Sequence, residues 1–155
     1  MIRKTLSKAA YSFDENVRVW GIVSRSLPHK MCWLVNKAFD WDLSRQNDIS
    51  VPYKNYSIVK DMAEPAEDEV ILSFSLHSFK EEERFFEADL IANRHELSCY
   101  MPELKQFDYL LIVHGEFDYL PENMQAVLRG LSSVTIAAEV PLKKIKEQHR
   151  LHLYK

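Results

Sequence analysis

Two carboxylates, Glu103 and Asp108, stand five residues apart in the stretch Met101-Pro-Glu-Leu-Lys-Gln-Phe-Asp-Tyr109. A pair of this kind is common equipment for general acid–base catalysis. Turn chemistry accounts for the same residues without a substrate. Glu103 would cap the short turn after Pro102, and Asp108 would bind backbone donors where a strand begins. The structural reading is favoured, because Pro, Glu and Asp are all residues that turns and caps select. Other candidates are thinner. Of the six histidines, His29, His77, His95, His114, His149 and His152, only the last two are close in sequence. Three apart, they share one face of a helix but point to opposite faces of the strand expected there, so no metal pair is expected. Cys32 lies among apolar residues and reads as a small core side chain. Cys99 precedes Tyr100 in a loop, and neither cysteine has a base beside it in sequence. The chain has no G-x-S-x-G, P-loop, H-E-x-x-H or G-x-G-x-x-G motif, so neither a catalytic residue nor a cofactor is expected.

Binding leaves weaker marks. Lys143, Lys144 and Lys146 form a basic cluster suited to an anionic partner. Residues 143–155 carry net +4 and residues 1–8 net +3, which leaves −10 on residues 9–142 of a chain whose total is −3. An acidic body with basic ends is compatible with an anionic partner, and equally with tails that neutralise the body itself; the second reading is favoured. Trp33 falls off the apolar stripe of its helix and is a candidate for an interface, whereas Trp20 and Trp41 read as core or half-buried. The run Tyr109–Val113 is aliphatic where an RNA-binding sheet needs stacking aromatics.

The elements that must position these residues follow from periodicity. Val17–Ser24 alternates and reads as a strand. Pro28 opens an amphipathic helix to Phe39, with Met31, Leu34, Val35, Ala38 and Phe39 at helical spacing. Asp42–Asp48 and Tyr56–Asp61 are short strand candidates, and Met62–Glu69 reads as an acidic connection. Glu69–His77 puts Val70, Leu72, Phe74 and Leu76 on one face of a strand. Arg84–Asn93 forms a hairpin with it across the turn Glu81–Arg84. Phe107–His114 is the clearest strand, ended by Gly115. Pro121 opens a second helix carrying Met124, Val127, Leu128 and Leu131. Val134–Val140 is a strand, and Arg150–Tyr154 a further candidate. The expected fold is α+β: a two-layer sandwich with a mostly antiparallel sheet and two helices on one face, loosely ferredoxin-like with added strands.

The 155 residues suit a single domain, with residues 1–10 a loose basic segment. No apolar run approaches the roughly 20 residues of a membrane span. No apolar stretch follows Arg3, Lys4 and Lys8 as in a standard signal peptide. Two cysteines outside any C-x-x-C pair suit a reduced compartment, so a cytoplasmic location is expected.

The stretch Met101–Tyr109 resembles the signature of the IPExxxVDY family, small proteins of Bacteroidota. Met101 replaces the usual Ile and Phe107 the usual Val, while Pro102, Glu103, Asp108 and Tyr109 match. Trp20-Gly-Ile-Val-Ser24 is similar to the family's first strand; Trp33, Asn36 and Lys37 to its first helix; Leu43, Arg45 and Asp48 to the segment after it. Leu90-Ile-Ala-Asn93 and Lys144-Ile-Lys-Glu-Gln148 resemble two later runs. The resemblance spans most of the chain and brings no assigned catalytic or binding residue with it.

The expected function is therefore a non-catalytic accessory or protein-interaction domain. The candidate partner-binding residues are Trp33, Glu103, Asp108, Lys143, Lys144 and Lys146; a surface cluster of Trp33, Glu103, Asp108, Lys144 and Lys146 would favour a partner site, and a deep pocket with convergent polar groups an enzyme. The partner would be another protein, with an acidic one or a second copy left open and no membrane involved. The next reading is a weak binder of nucleic acid or another anion through the basic ends. The third is an enzyme with a site assembled from scattered residues.

Overall fold

The computed structural model describes residues 16–53, 70–81, 83, 85–115, 117 and 120–146. The elements are β1 (Val17–Ser24), α1 (Pro28–Phe39), β2 (Ser44–Arg45), β3 (Ile49–Tyr53), β4 (Val70–Phe74), β5 (Leu76–Glu81), β6 (Phe86–Ala92), β7 (Tyr109–Gly115), α2 (Met124–Arg129) and β8 (Val134–Val140). The main sheet has the order β2-β5-β6-β7-β1-β8, with every neighbouring pair antiparallel. Its part β6-β7-β1-β8 has the strand order of a ferredoxin-like sheet. The unit β7-α2-β8 is split, with β1 inserted between its two parallel strands. The added strands β5 and β2 extend the sheet beyond β6. The expected α+β fold is therefore present.

Both helices pack on one face. Trp20, Ile22, Ala88, Leu90, Tyr109, Leu111 and Val113 meet Met31, Cys32 and Val35 of α1 and Met124 and Leu128 of α2. The opposite face is covered too, by a layer absent from the sequence-based expectation. The β3–β4 hairpin and the Met101–Phe107 turn bring Leu72, Phe74, Met101, Leu104 and Phe107 onto Val19, Ile91, Leu110 and Ile112. That layer breaks the single strand expected over Glu69–His77. The chain leaves the main sheet at Ser75, whose carbonyl accepts from Ala92 N–H at 2.9 Å, and β4 pairs with β3 instead. The segments Tyr56–Asp61, Met62–Glu69 and Arg150–Tyr154 lie outside the described residues.

Two glycines are required by geometry. Gly115 has φ +106°, and a Cβ there would lie 1.9 Å from the Phe85 carbonyl oxygen. Gly21 lies beneath the Phe107 ring, and a Cβ there would meet ring carbons at 2.3 to 2.5 Å. The sheet edges are blunted. β2 has only two residues, and the outer edge of β8 is met by α2: Arg129 Nε donates to the Ala137 carbonyl at 3.1 Å and Gln125 Oε1 accepts from Glu139 N–H at 3.5 Å.

Leu111 and Ile112 are 0% and 1% exposed and face the two opposite cores. Leu111→Asp and Ile112→Asp should each abolish cooperative unfolding or solubility, because each buries an unpaired charge. Retention of the wild-type melting temperature by both contradicts the placement. Gly21→Ala should cost about 1–3 kcal/mol through overpacking against Phe107. Combining it with Phe107→Val should recover part of that loss, which denaturant titration of the two single variants and the double variant measures.

Candidate functional site

The Met101–Tyr109 segment holds the residues with the strongest chemical promise, and its local build follows from sequence. Pro102 opens a 3-10 turn to Leu104, closed by Leu104 N–H to the Met101 carbonyl at 3.0 Å and Lys105 N–H to the Pro102 carbonyl at 3.2 Å. Met101, Leu104 and Phe107 insert into the second core. Asn93, with 0% exposure, holds the turn from beneath. Its Oδ1 accepts from Met101 N–H at 2.8 Å, and its Nδ2 donates to the carbonyls of Leu104 at 3.0 Å and Phe107 at 3.1 Å. Its backbone is committed as well, donating to the Asp108 carbonyl and accepting from Tyr100 N–H, both at 2.8 Å. A buried polar side chain with both ends of its amide satisfied is a rigid clamp.

The polar side chains of this segment are tied to distant parts of the chain. Asp108 Oδ2 accepts from Ser24 N–H at 2.9 Å, where the β1–β8 register shifts, and Oδ1 pairs with Arg94 Nε at 2.6 Å. The Tyr109 hydroxyl donates to the Ser26 carbonyl, in the link between β1 and α1. Burial, aided by the Asp108 charge, pushes its pKa up to about 12. Glu103 Oε2 accepts from Lys146 N–H at 3.0 Å, so it ties the end of the Leu142–Lys144 3-10 turn to the Pro102–Leu104 turn. Glu103 and Asp108 thus address different segments, and a shared reacting centre between them has no support in their contacts.

The six candidate partner-binding residues are divided. Trp33 is 57% exposed on α1, on the helical side of the sheet. Glu103 and the exposed Lys143, Lys144 and Lys146 accompany Leu104 and Ile145, which are buried on the other side. Asp108 is half-buried and engaged. They form no single cluster, because α1 packs on one face of the sheet and the Met101–Phe107 turn on the other. Cys32 is buried, its thiol donating to the Leu43 carbonyl at 3.4 Å, and burial raises its pKa. Both facts suit a core residue. Asn36 links α1 to the same residue, donating to the Leu43 carbonyl at 3.0 Å and accepting its N–H at 2.8 Å. His149 and His152 lie outside the described residues. Among the described residues no three His, Cys, Asp or Glu side chains are grouped to hold a metal ion.

Cross-strand register also creates a polar row that linear spacing concealed. Lys80, Glu87 and His114 are consecutive partners across β5, β6 and β7, and beside them Ser78 Oγ donates to the buried Asp89 at 2.5 Å. Ser78, Lys80 and Glu87 line an open groove of about 650 Å³ whose other wall is Asp42, Ser44, Gln46 and Asn47. Its lining mixes charges of both signs and lacks a nucleophile held by a base, so it presents no recognisable reaction geometry.

Asn93→Ala should lose at least about 2 kcal/mol, since it orphans the buried Met101 N–H and Phe107 carbonyl and removes one of the two donors to the Leu104 carbonyl, whereas Glu103→Gln, at a more exposed contact, should lose less than about 1 kcal/mol. Chemical denaturation measures both, and equal losses contradict the clamp. In an alkaline absorbance titration, Tyr109 should ionise near 12 rather than near 10. The folded state favours its neutral form, so this contribution to stability is full below pH 10 and is lost as pH rises through about 12. Tyr109→Phe should abolish the late step.

Comparison with protein-family models, curated proteins and solved structures finds no match for this chain. The functional reading therefore rests on the geometry above.

Proposed function

We propose that the chain is a non-catalytic accessory domain that acts by holding another protein. The observation that carries the proposal is a division of labour. Asp108, Tyr109, Glu103 and Asn93, the side chains with most chemical promise, are engaged in internal contacts. Trp33, a large apolar side chain, is 57% exposed in the middle of a well-formed helix. Tryptophan at an exposed site supplies contact area and is enriched at the centres of interfaces. No helix among the described residues is long and apolar enough to cross a membrane. A cytoplasmic setting belongs to the proposal, supported by two free cysteines, one buried.

Kinship with the IPExxxVDY proteins belongs to it as well. Its support is physical: Asn93, Asp108 and Tyr109, each part of that resemblance, lock one turn to the ends of three strands, and such a lock is what a signature of structural origin requires. The alternative of a basic-ended anion binder has one point in its favour, the exposure of Lys143, Lys144 and Lys146.

The test is site-specific photo-cross-linking in the native cell, with the photoreactive residue at position 33 and, as control, at the equally exposed Ile71 on the other side of the sheet. A protein adduct at position 33, absent at position 71 and displaced by excess wild type but not by Trp33→Ala, is the expected result. Adducts only to nucleic acid, or none at position 33, overturn the proposal.

A further inference from the structure

We propose that the outward face of α1 docks an acidic segment of a partner protein; this rests on the interaction reading above and names the chemistry of the partner. From Asn16 to Phe39 the chain has no carboxylate, although residues 9–142 carry net −10. Four cations lie in that stretch: Arg18, Arg25, Lys30 and Lys37. Arg18 is engaged internally, bound to Glu139 at 2.8 and 2.9 Å with its guanidinium 4.7 Å from the Trp20 ring. Arg25, Lys30 and Lys37 are exposed, and none of them forms an ion pair among the described residues.

Two of these cations, Lys30 and Lys37, flank the exposed tryptophan along α1. Lys30, Trp33 and Lys37 follow i, i+3, i+7 spacing, one stripe about 10 Å long. The stripe lies opposite Met31 and Val35, which are fully buried in the core. Lys37 Nζ sits 4.9 Å from the Trp33 ring centroid, and Leu27, 64% exposed, flanks the other end. A ring with cations on both sides offers apolar contact at its centre and charge at its rim, which is the pattern of a docking surface.

Charge and size select the occupant. A short segment with two or three carboxylates around an apolar side chain matches a stripe of this length. A nucleic acid or an anionic bilayer extends further than the stripe and would meet the acidic remainder of the body, which repels it. The C-terminal lysines have a carboxylate among their neighbours, since Lys146 N–H donates to Glu103.

The experiment uses the full chain and fluorescence anisotropy. The probe is a labelled twelve-residue peptide of alternating Glu-Glu and Leu-Leu pairs. Its Gln-for-Glu counterpart, a thymidine oligonucleotide and phosphatidylserine vesicles are the comparison ligands. The acidic peptide should bind, and the Lys30→Gln/Lys37→Gln double variant and Trp33→Ala should each weaken it about tenfold at unchanged melting temperature. Binding should weaken steadily from about 50 to about 300 mM salt. The Lys143→Gln/Lys144→Gln/Lys146→Gln variant should bind as wild type does. Equal binding of the Gln peptide overturns the proposal, as do an undiminished double variant, tighter binding of oligonucleotide or vesicles, and self-association that the double variant abolishes. Absence of peptide binding overturns it too. Persistence of the position-33 protein adduct in that case leaves the broader interaction reading standing, and loss of both removes the two together.

Discussion

The Asn93 side chain ends β6 inside the protein, where no water reaches it, and its amide satisfies one N–H and two carbonyls of the Met101–Phe107 turn. Those backbone groups sit in an irregular segment that has no ladder to join. Without the amide the Met101 N–H and the Phe107 carbonyl would be buried and unmet, at a cost of about 1–3 kcal/mol each, and the Leu104 carbonyl would keep only the Phe107 N–H. The turn they belong to carries Met101, Leu104 and Phe107 into the second core. It also sets the start of β7, from which Asp108 reaches Ser24 and Tyr109 reaches Ser26. The placement of α1 depends in turn on that link, since Ser26 immediately precedes its first turn. One buried amide thus connects the cover on one face of the sheet to the helix on the other.

The central strand explains why such a clamp is needed. All seven residues of β7 are buried, and its side chains face the helices on one side and the hairpin and turn on the other. A strand buried on both faces carries little local information about its register. The contacts at its ends, Asp108 at the start and Gly115 at φ +106° at the finish, fix where it begins and stops.

The repeating elements were legible because their periods are local. Val17–Ser24, Pro28–Phe39 and Val134–Val140 have the bounds that alternation and helical spacing indicate. The hairpin was legible only in part: Arg84–Asn93 pairs antiparallel, but with Leu76–Glu81 rather than with the expected Glu69–His77. The break at Ser75 was not, because Val70, Leu72, Phe74 and Leu76 alternate through it. Only the long-range requirement to cover Ile91, Leu110 and Ile112 moves β4 out of the main sheet. The role of Asp108 as an acceptor of backbone N–H was readable from its position before a strand. Glu103 also reaches Lys146, 43 residues away, a contact that local reading does not supply. Asn93 carried a readable signal, a lone amide directly after an apolar strand and shortly before Met-Pro. The row Lys80–Glu87–His114 carried none, because register alone assembles it. For the candidate site, the exposure of Trp33 followed from helical phase, whereas its separation from Glu103 and Lys146 required the topology.

The central claim is that the polar side chains of Asn93, Glu103 and Asp108 hold backbone rather than substrate. Native-state amide hydrogen exchange tests it directly, because Ser24, Met101 and Lys146 each donate a backbone N–H to a side chain: Asp108, Asn93 and Glu103 respectively. The account predicts that Ser24 and Met101 exchange only through near-global opening, at rates comparable with the β7 amides, and that Lys146 is slowed relative to an open loop. Exchange of all three at free-loop rates, with β7 still protected, would contradict it and return Asn93, Glu103 and Asp108 to the set of side chains available for chemistry.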